Sequence, residues 1–254
     1  MNITAERTQE GITERLFELT VGDHMVPGAL WTPAGPAVPR ALVLIGHGGG
    51  MHRTAPPVLG AMKRYVTAHG YAVAAIDAPE HGARLSPEEA PLVAQRIRDR
   101  ITRSGGMRGE ALAALMLHSR QMLEDWKATL NAIQQLDVVG TAGPVGYQGV
   151  SHGTWLGIPF LAAEPRVTAA VLGFAGIHGT DDPLVPHAQK ITIPLQFAMQ
   201  WDDEMTPREE ALALFAAFAS REKTLHANAG SKSQVPAFER ASWETFFGRH
   251  LADK

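Results

Sequence analysis

The chain contains no cysteine among its 254 residues, and that single absence excludes disulfides, thiolate catalysis and cysteine-ligated metals. It also lacks any apolar run long enough to span a bilayer, and residues 1–10 are polar, so neither a membrane partner nor a signal peptide is read from it. The expected location is therefore cytoplasmic. A net charge of only -3 gives no electrostatic reason to expect nucleic acid or an anionic surface as partner. No Ser/Gly/Pro linker, charge block, low-complexity tract or fixed-period repeat divides the sequence, which reads as one domain over 1–254 with length enough for a large core.

What is present is an ordered alternation of apolar segments. Residues 16–21 and 25–31 alternate in hydrophobicity around a Gly22-Asp23 turn and predict an antiparallel pair at a sheet edge. Residues 41–46 and 71–76 are short, continuously apolar runs, the pattern of strands covered on both faces of a parallel sheet. Helical spacing fills residues 58–69, which Gly70 stops, and the long stretch 109–136, where Leu115, Met122, Trp126, Leu130 and Ile133 lie on one stripe. Further strands are expected at 144–148, 167–172, 193–200 and 224–228, with helices at 154–163, 207–218 and 241–251. The fold class is α/β: a doubly wound, mostly parallel sheet flanked by helices, with an antiparallel N-terminal edge pair. Sites in such sheets form beyond the carboxyl ends of the strands.

The most informative residues are Gly149-Val150-Ser151-His152-Gly153, a G-x-S-x-G elbow between a strand and a helix. The turn lifts a serine hydroxyl off the strand end, and its glycines make room for a strained serine backbone. Strand, elbow and helix together make Ser151 a nucleophile candidate. Acyl transfer builds negative charge on a carbonyl oxygen, which two backbone N–H groups can hold. The amide of His152 opens a helix directly after the serine and is one donor. The second comes from the loop His47-Gly48-Gly49-Gly50, with Gly49 preferred over Gly48.

Four motifs at strand ends carry a family resemblance: His47-Gly48-Gly49-Gly50, Asp77-Ala78-Pro79-Glu80-His81-Gly82, the elbow, and Asp203-Glu204-Met205-Thr206-Pro207. In this order the chain resembles the α/β-hydrolase superfamily, and within it is similar to dienelactone-hydrolase-like esterases. The resemblance runs from about Ala41 onward and implies a nucleophile–acid–histidine order with the acid at a strand end. It assigns Asp203 as the acid in preference to Asp182, which also precedes a proline but lies in a Gly/Asp/Pro loop and reads equally as a turn former.

The base departs from the family pattern. Related sequences carry histidine two residues after a glycine in the loop following the last strand; here Gly230 is followed by Ser231 and Lys232. Three readings compete. Lys232 acts as base if burial lowers its pKa, although Asp203 beside it would raise that pKa. Alternatively the loop has shifted and His226 serves. Or the position is substituted, leaving a serine without an efficient base.

The remaining candidates have plainer roles. Met51, Trp155, Trp201 and Met205 flank the motifs and are expected as substrate-binding pocket walls. His47, His52, His81 and His152 with Asp77 shape the floor of the site; their spacing forms no metal-ligand motif, and no metal or organic cofactor is expected. Residues 84–108, with six arginines interleaved with apolar residues, read as a lid over the pocket or as a solvated amphipathic helix. The expected partner is a small-molecule ester, cleaved through a Ser151 acyl-enzyme. Lactones, thioesters and amides share that acyl chemistry, as does acyl transfer to an acceptor other than water. A non-catalytic binding or sensor module on the same scaffold is the alternative, favoured by Lys232.

Overall fold

The strands lie where the apolar runs place them. The computed structural model describes residues 1–252. Its nine-stranded sheet has the order β1-β2-β3-β5-β4-β6-β7-β8-β9, with β1 Asn2–Gln9, β2 Ile12–Val21, β3 His24–Pro33, β4 Leu42–Gly46 and β5 Ala72–Ile76, followed by β6 Val145–Val150, β7 Val167–Gly173, β8 Leu195–Gln200 and β9 Lys223–Asn228. The three N-terminal strands and the β3–β5 pairing are antiparallel, and the remaining pairings are parallel.

Every residue of β4 and β5 is buried, because helices cover both faces of the sheet. Side-chain alternation divides the core accordingly. Leu42 and Leu44 join Trp126, Tyr147 and Phe160 on one face; Val43 and Ile45 join Tyr65, Trp243 and Phe247 on the other. The helices are α1 Pro56–His69, α2 Glu89–Arg103, α3 Gly109–Ile133, α4 His152–Ala163, α5 Val185–Ala188, α6 Arg208–Ala217 and α7 Ala237–His250. α1 starts with prolines in its first turn and stops at Gly70, whose φ of 68° is left-handed, the signature of a glycine C-cap.

One feature differs from the sequence reading. The expected edge pair, β2 and β3, is not at the edge: β1 pairs outside it. All residues of β1 are exposed, so no burial imprinted an apolar alternation on it. The segment 84–108 holds a 15-residue helix, α2, with Val93 as its one buried residue. Among the described residues, no helix is long and apolar enough to cross a membrane.

Candidate active site

The carboxyl ends of β4, β5, β6, β7 and β8 open onto a cavity of about 1480 Å³. Ser151 stands at its floor. The serine has φ 54° and ψ -117°, a conformation that costs a non-glycine residue of order 1–3 kcal/mol. Its surroundings hold it there. The Ser151 amide donates to the Gly173 carbonyl at 2.8 Å. The Thr154 hydroxyl lies 2.7 Å from the Gly149 carbonyl and 2.8 Å from that of Gly173, and accepts from the Gly173 amide at 2.9 Å. A β-carbon on Gly149 would come within 2.7 Å of the Gly153 carbonyl carbon, and one on Gly153 within 2.7 Å of that of Gly46. The elbow therefore needs both glycines. Among the described residues, no hydrogen bond is made by the Ser151 hydroxyl.

The glycine loop after β4 lies against the start of α4. A β-carbon built on Gly49 would sit 3.8 Å from Cβ of His152, whereas one on Gly48 would face Met51 instead. The His152 amide belongs to the first turn of α4, whose N–H groups have no partner within the helix. No backbone carbonyl among the described residues accepts from the Gly49 amide.

The fourth motif and the loop after β9 meet at Lys232. Its ammonium donates to the Phe174 carbonyl at 3.1 Å, to Oδ2 of Asp203 at 3.2 Å and to the Thr206 hydroxyl at 3.3 Å. The lysine side chain is 17% exposed and the aspartate 3%. Oδ1 of Asp203 accepts from the Met205 and Thr206 amides at 2.8 and 3.0 Å. Burial pushes the Lys232 ammonium below the usual lysine pKa, with Asp203 and Glu204 pulling the other way. β8 fixes the loop: Gln200 donates to the Ser231 and Gln234 carbonyls at 3.1 and 3.0 Å, and Asp202 accepts from the Gly230 amide at 3.1 Å. The Ser151 amide and the Lys232 ammonium bond to the consecutive carbonyls of Gly173 and Phe174 at the end of β7, and both residues line the cavity.

His47, His52, His81 and His152 line the cavity, and Asp77 is buried behind them. His47 accepts from the Ala78 amide at Nε2 and donates from Nδ1 to the Gly48 carbonyl, which fixes a neutral ring; burial pushes its pKa down to about 4. The rings of His47, His81 and His152 follow one another at centroid spacings of 5.3 and 4.9 Å. Burial also lowers the pKa of His81 and holds that of His152 well below the usual histidine value. Asp77 accepts from the Arg53 and Ala83 amides at 2.7 and 2.8 Å and pairs with the Arg53 guanidinium. Among the described residues, no group of His, Asp or Glu side chains is arranged to hold a metal ion.

Met51, Trp155 and Met205 line the cavity, as do Gly49, Ser151, His152 and Lys232. Trp201 does not. It lies outside, 46% exposed, beneath the Arg208 guanidinium at 4.5 Å, because its backbone is paired to Asn228 as β8 ends. His226 does not line the cavity, and its Nδ1 is bound to Glu239 at 3.1 Å. Asp182 caps its own turn by accepting from the Leu184 and His178 amides, both at 3.0 Å. Three participants carried little sequence signal. The Phe174 carbonyl and the Thr206 hydroxyl hold Lys232, and His118 joins the cavity wall from α3. Only Thr206 lay within a motif.

No protein-family model and no curated protein sequence matches the chain. Solved structures do. The PEG-bound complex of a cold-adapted esterase from an Arctic intertidal metagenomic library superimposes with a TM-score of 0.80 and 30% identity, over 99% of this chain and 100% of that one. The native structure of such an esterase from the same source gives 0.75 and 28% over the same shares. An acetyl xylan esterase from Paenibacillus sp. R4 gives 0.71 at 16% identity, over 98% of this chain and 88% of that one, which speaks to the fold alone. A full-length match at 30% identity, together with the sheet order and the strand-end elbow, establishes that the chain belongs to the α/β-hydrolase family of which these esterases are members.

Proposed function

We propose that the protein hydrolyses carboxylic esters through a Ser151 acyl-enzyme, with Lys232 in the place of the usual histidine. The observation that carries this reading is the strained Ser151 at the cavity floor, bonded to Gly173 beside the Phe174 carbonyl that holds Lys232. The serine hydroxyl attacks the ester carbonyl. The amides of Gly49 and His152, on residues that lie against one another and free of backbone acceptors, receive the developing oxyanion. Lys232 takes the serine proton in its neutral form and returns it to the leaving alcohol; water then releases the acid. Asp203 holds the lysine in place through Oδ2, and is held itself through Oδ1 by two amides. The similar proteins are esterases, which supports the ester as substrate. The four motifs support the closer likeness to dienelactone-hydrolase-like esterases.

An ammonium has three donors and no acceptor, and each donor here faces an oxygen. The base is therefore held in its inactive protonation state at neutral pH, and turnover there is expected to be slow. The same saturation favours a second reading, a pocket that binds without turnover. Labelling with a fluorophosphonate and assay with p-nitrophenyl butyrate at pH 7 and 9 separate the two. Labelling and turnover that are lost in Ser151→Ala support the hydrolase. Ester binding with neither labelling nor turnover at either pH would establish the second reading.

A further inference from the structure

α2 is amphipathic, but its apolar side rests on the protein only in part. Val93 is its one buried residue. Ala90, Ala94, Ile97 and Ile101, spaced i, i+4, i+7 and i+11, face the cavity that holds Ser151, and Ala111 and Leu115 of α3 line the same space. Such a stripe ordinarily meets a packed core. Here it meets a void continuous with the nucleophile. At about 1480 Å³ the cavity is larger than the roughly 300–1,000 Å³ typical of sites for drug-sized ligands, and an acetyl group would leave most of the α2 stripe without contact.

We propose that the space beneath α2 is an acyl subsite and that the preferred substrates are esters of medium-length aliphatic acids. This rests on the reading of Ser151 as the nucleophile. The acyl chain runs from the serine under α2 and covers the stripe, so that each added methylene is removed from water against Ala94, Ile97 and Leu115. Ala94 determines specificity: its small side chain leaves volume that an indole would fill. The outward side of the helix, where Leu92 is 72% exposed, has no part in the choice.

The test is kcat/KM for p-nitrophenyl acetate, butyrate, hexanoate and octanoate. The expected profile rises about threefold per methylene as far as hexanoate, the transfer free energy of a half-open apolar site. Ala94→Trp should lower the hexanoate-to-acetate ratio at least tenfold, and Leu92→Gln should leave it unchanged. A flat or falling profile overturns the subsite, as does an equal effect of the two substitutions on the ratio, and in either case ester hydrolysis itself stands. If no ester is turned over, the catalytic reading fails and the subsite is judged by calorimetry. Binding of 2-decanone to Ser151→Ala that weakens at least tenfold with Ala94→Trp supports the subsite; equal binding with and without Ala94→Trp overturns it.

Discussion

The Lys232 ammonium donates to the Asp203 carboxylate at 3.2 Å, where a histidine-based hydrolase would pair the same carboxylate with an imidazole. The consequence for mutation is inverted. In a Ser-His-Asp triad, replacing the aspartate by asparagine costs about 10⁴ in kcat. Here Asp203 raises the lysine pKa while burial lowers it. Asp203→Asn should therefore move the alkaline limb of the kcat/KM profile to lower pH and raise activity at pH 7. A large loss of activity at every pH would show that the hold of Asp203 on Lys232 matters more than its effect on the lysine pKa.

The wild-type profile follows from the same pair. Only the neutral amine accepts a proton, so log kcat/KM should climb with unit slope above pH 7 and level off below the ordinary lysine pKa of about 10.4. Lys232→Met should flatten the limb and lower the rate at pH 9 by about 10²-fold or more, the usual worth of a general base. Lys232→His should instead give a plateau near neutrality. A pH series on the three proteins checks all of this, and a limb that survives in Lys232→Met assigns it to another group.

Much of this arrangement was legible in the sequence because it depends on residue types at strand ends. Continuous apolar runs placed β4 and β5, and Ser151, Gly49 and Lys232, singled out by position in the sequence, line one cavity, with Asp203 bonded to Lys232 behind it. What was not legible had no side-chain signature. β1 buries nothing, so no periodicity marked it. The Phe174 carbonyl is main chain, and any residue there would supply it. Trp201 misled because it stands two residues before Asp203 in sequence; the turn at the end of β8 carries the two in different directions, the aspartate to Lys232 and the indole to Arg208.

Two glycines should respond to alanine with opposite sign. A β-carbon on Gly153 would meet the Gly46 carbonyl and come within 3.1 Å of the His47 carbonyl oxygen. Both are backbone, so neither yields cheaply. Gly153→Ala should cost about 1–3 kcal/mol and lower Tm by roughly 2–10 °C for a chain of this size. Gly60, inside α1, has nothing nearer than the Arg64 guanidinium at 3.8 Å. Gly60→Ala should stabilise by about 0.5–1 kcal/mol through helix propensity. Thermal melts of the two variants decide the matter, and an unchanged Tm in Gly153→Ala would mean that α4 does not seat on the glycine loop as closely as described.

The neutral histidines lining the cavity predict acid sensitivity of defined sign. His47 titrates near 4 in the folded chain, with burial as the main cause, against about 6.5 when unfolded. The unfolded state therefore binds the proton more tightly, and the stabilisation present above pH 6.5 is lost as pH falls through the folded value. For His47 alone the difference is on the order of 3 kcal/mol, and burial shifts His81, His118 and His152 in the same direction. Urea midpoints should fall steadily between pH 6.5 and 4. His47→Gln, which keeps an acceptor for the Ala78 amide without a titrating ring, should lower stability at pH 7 and show a shallower slope below it. A slope in that variant equal to that of the wild type would shift the acid sensitivity from the glycine-loop histidine to its neighbours.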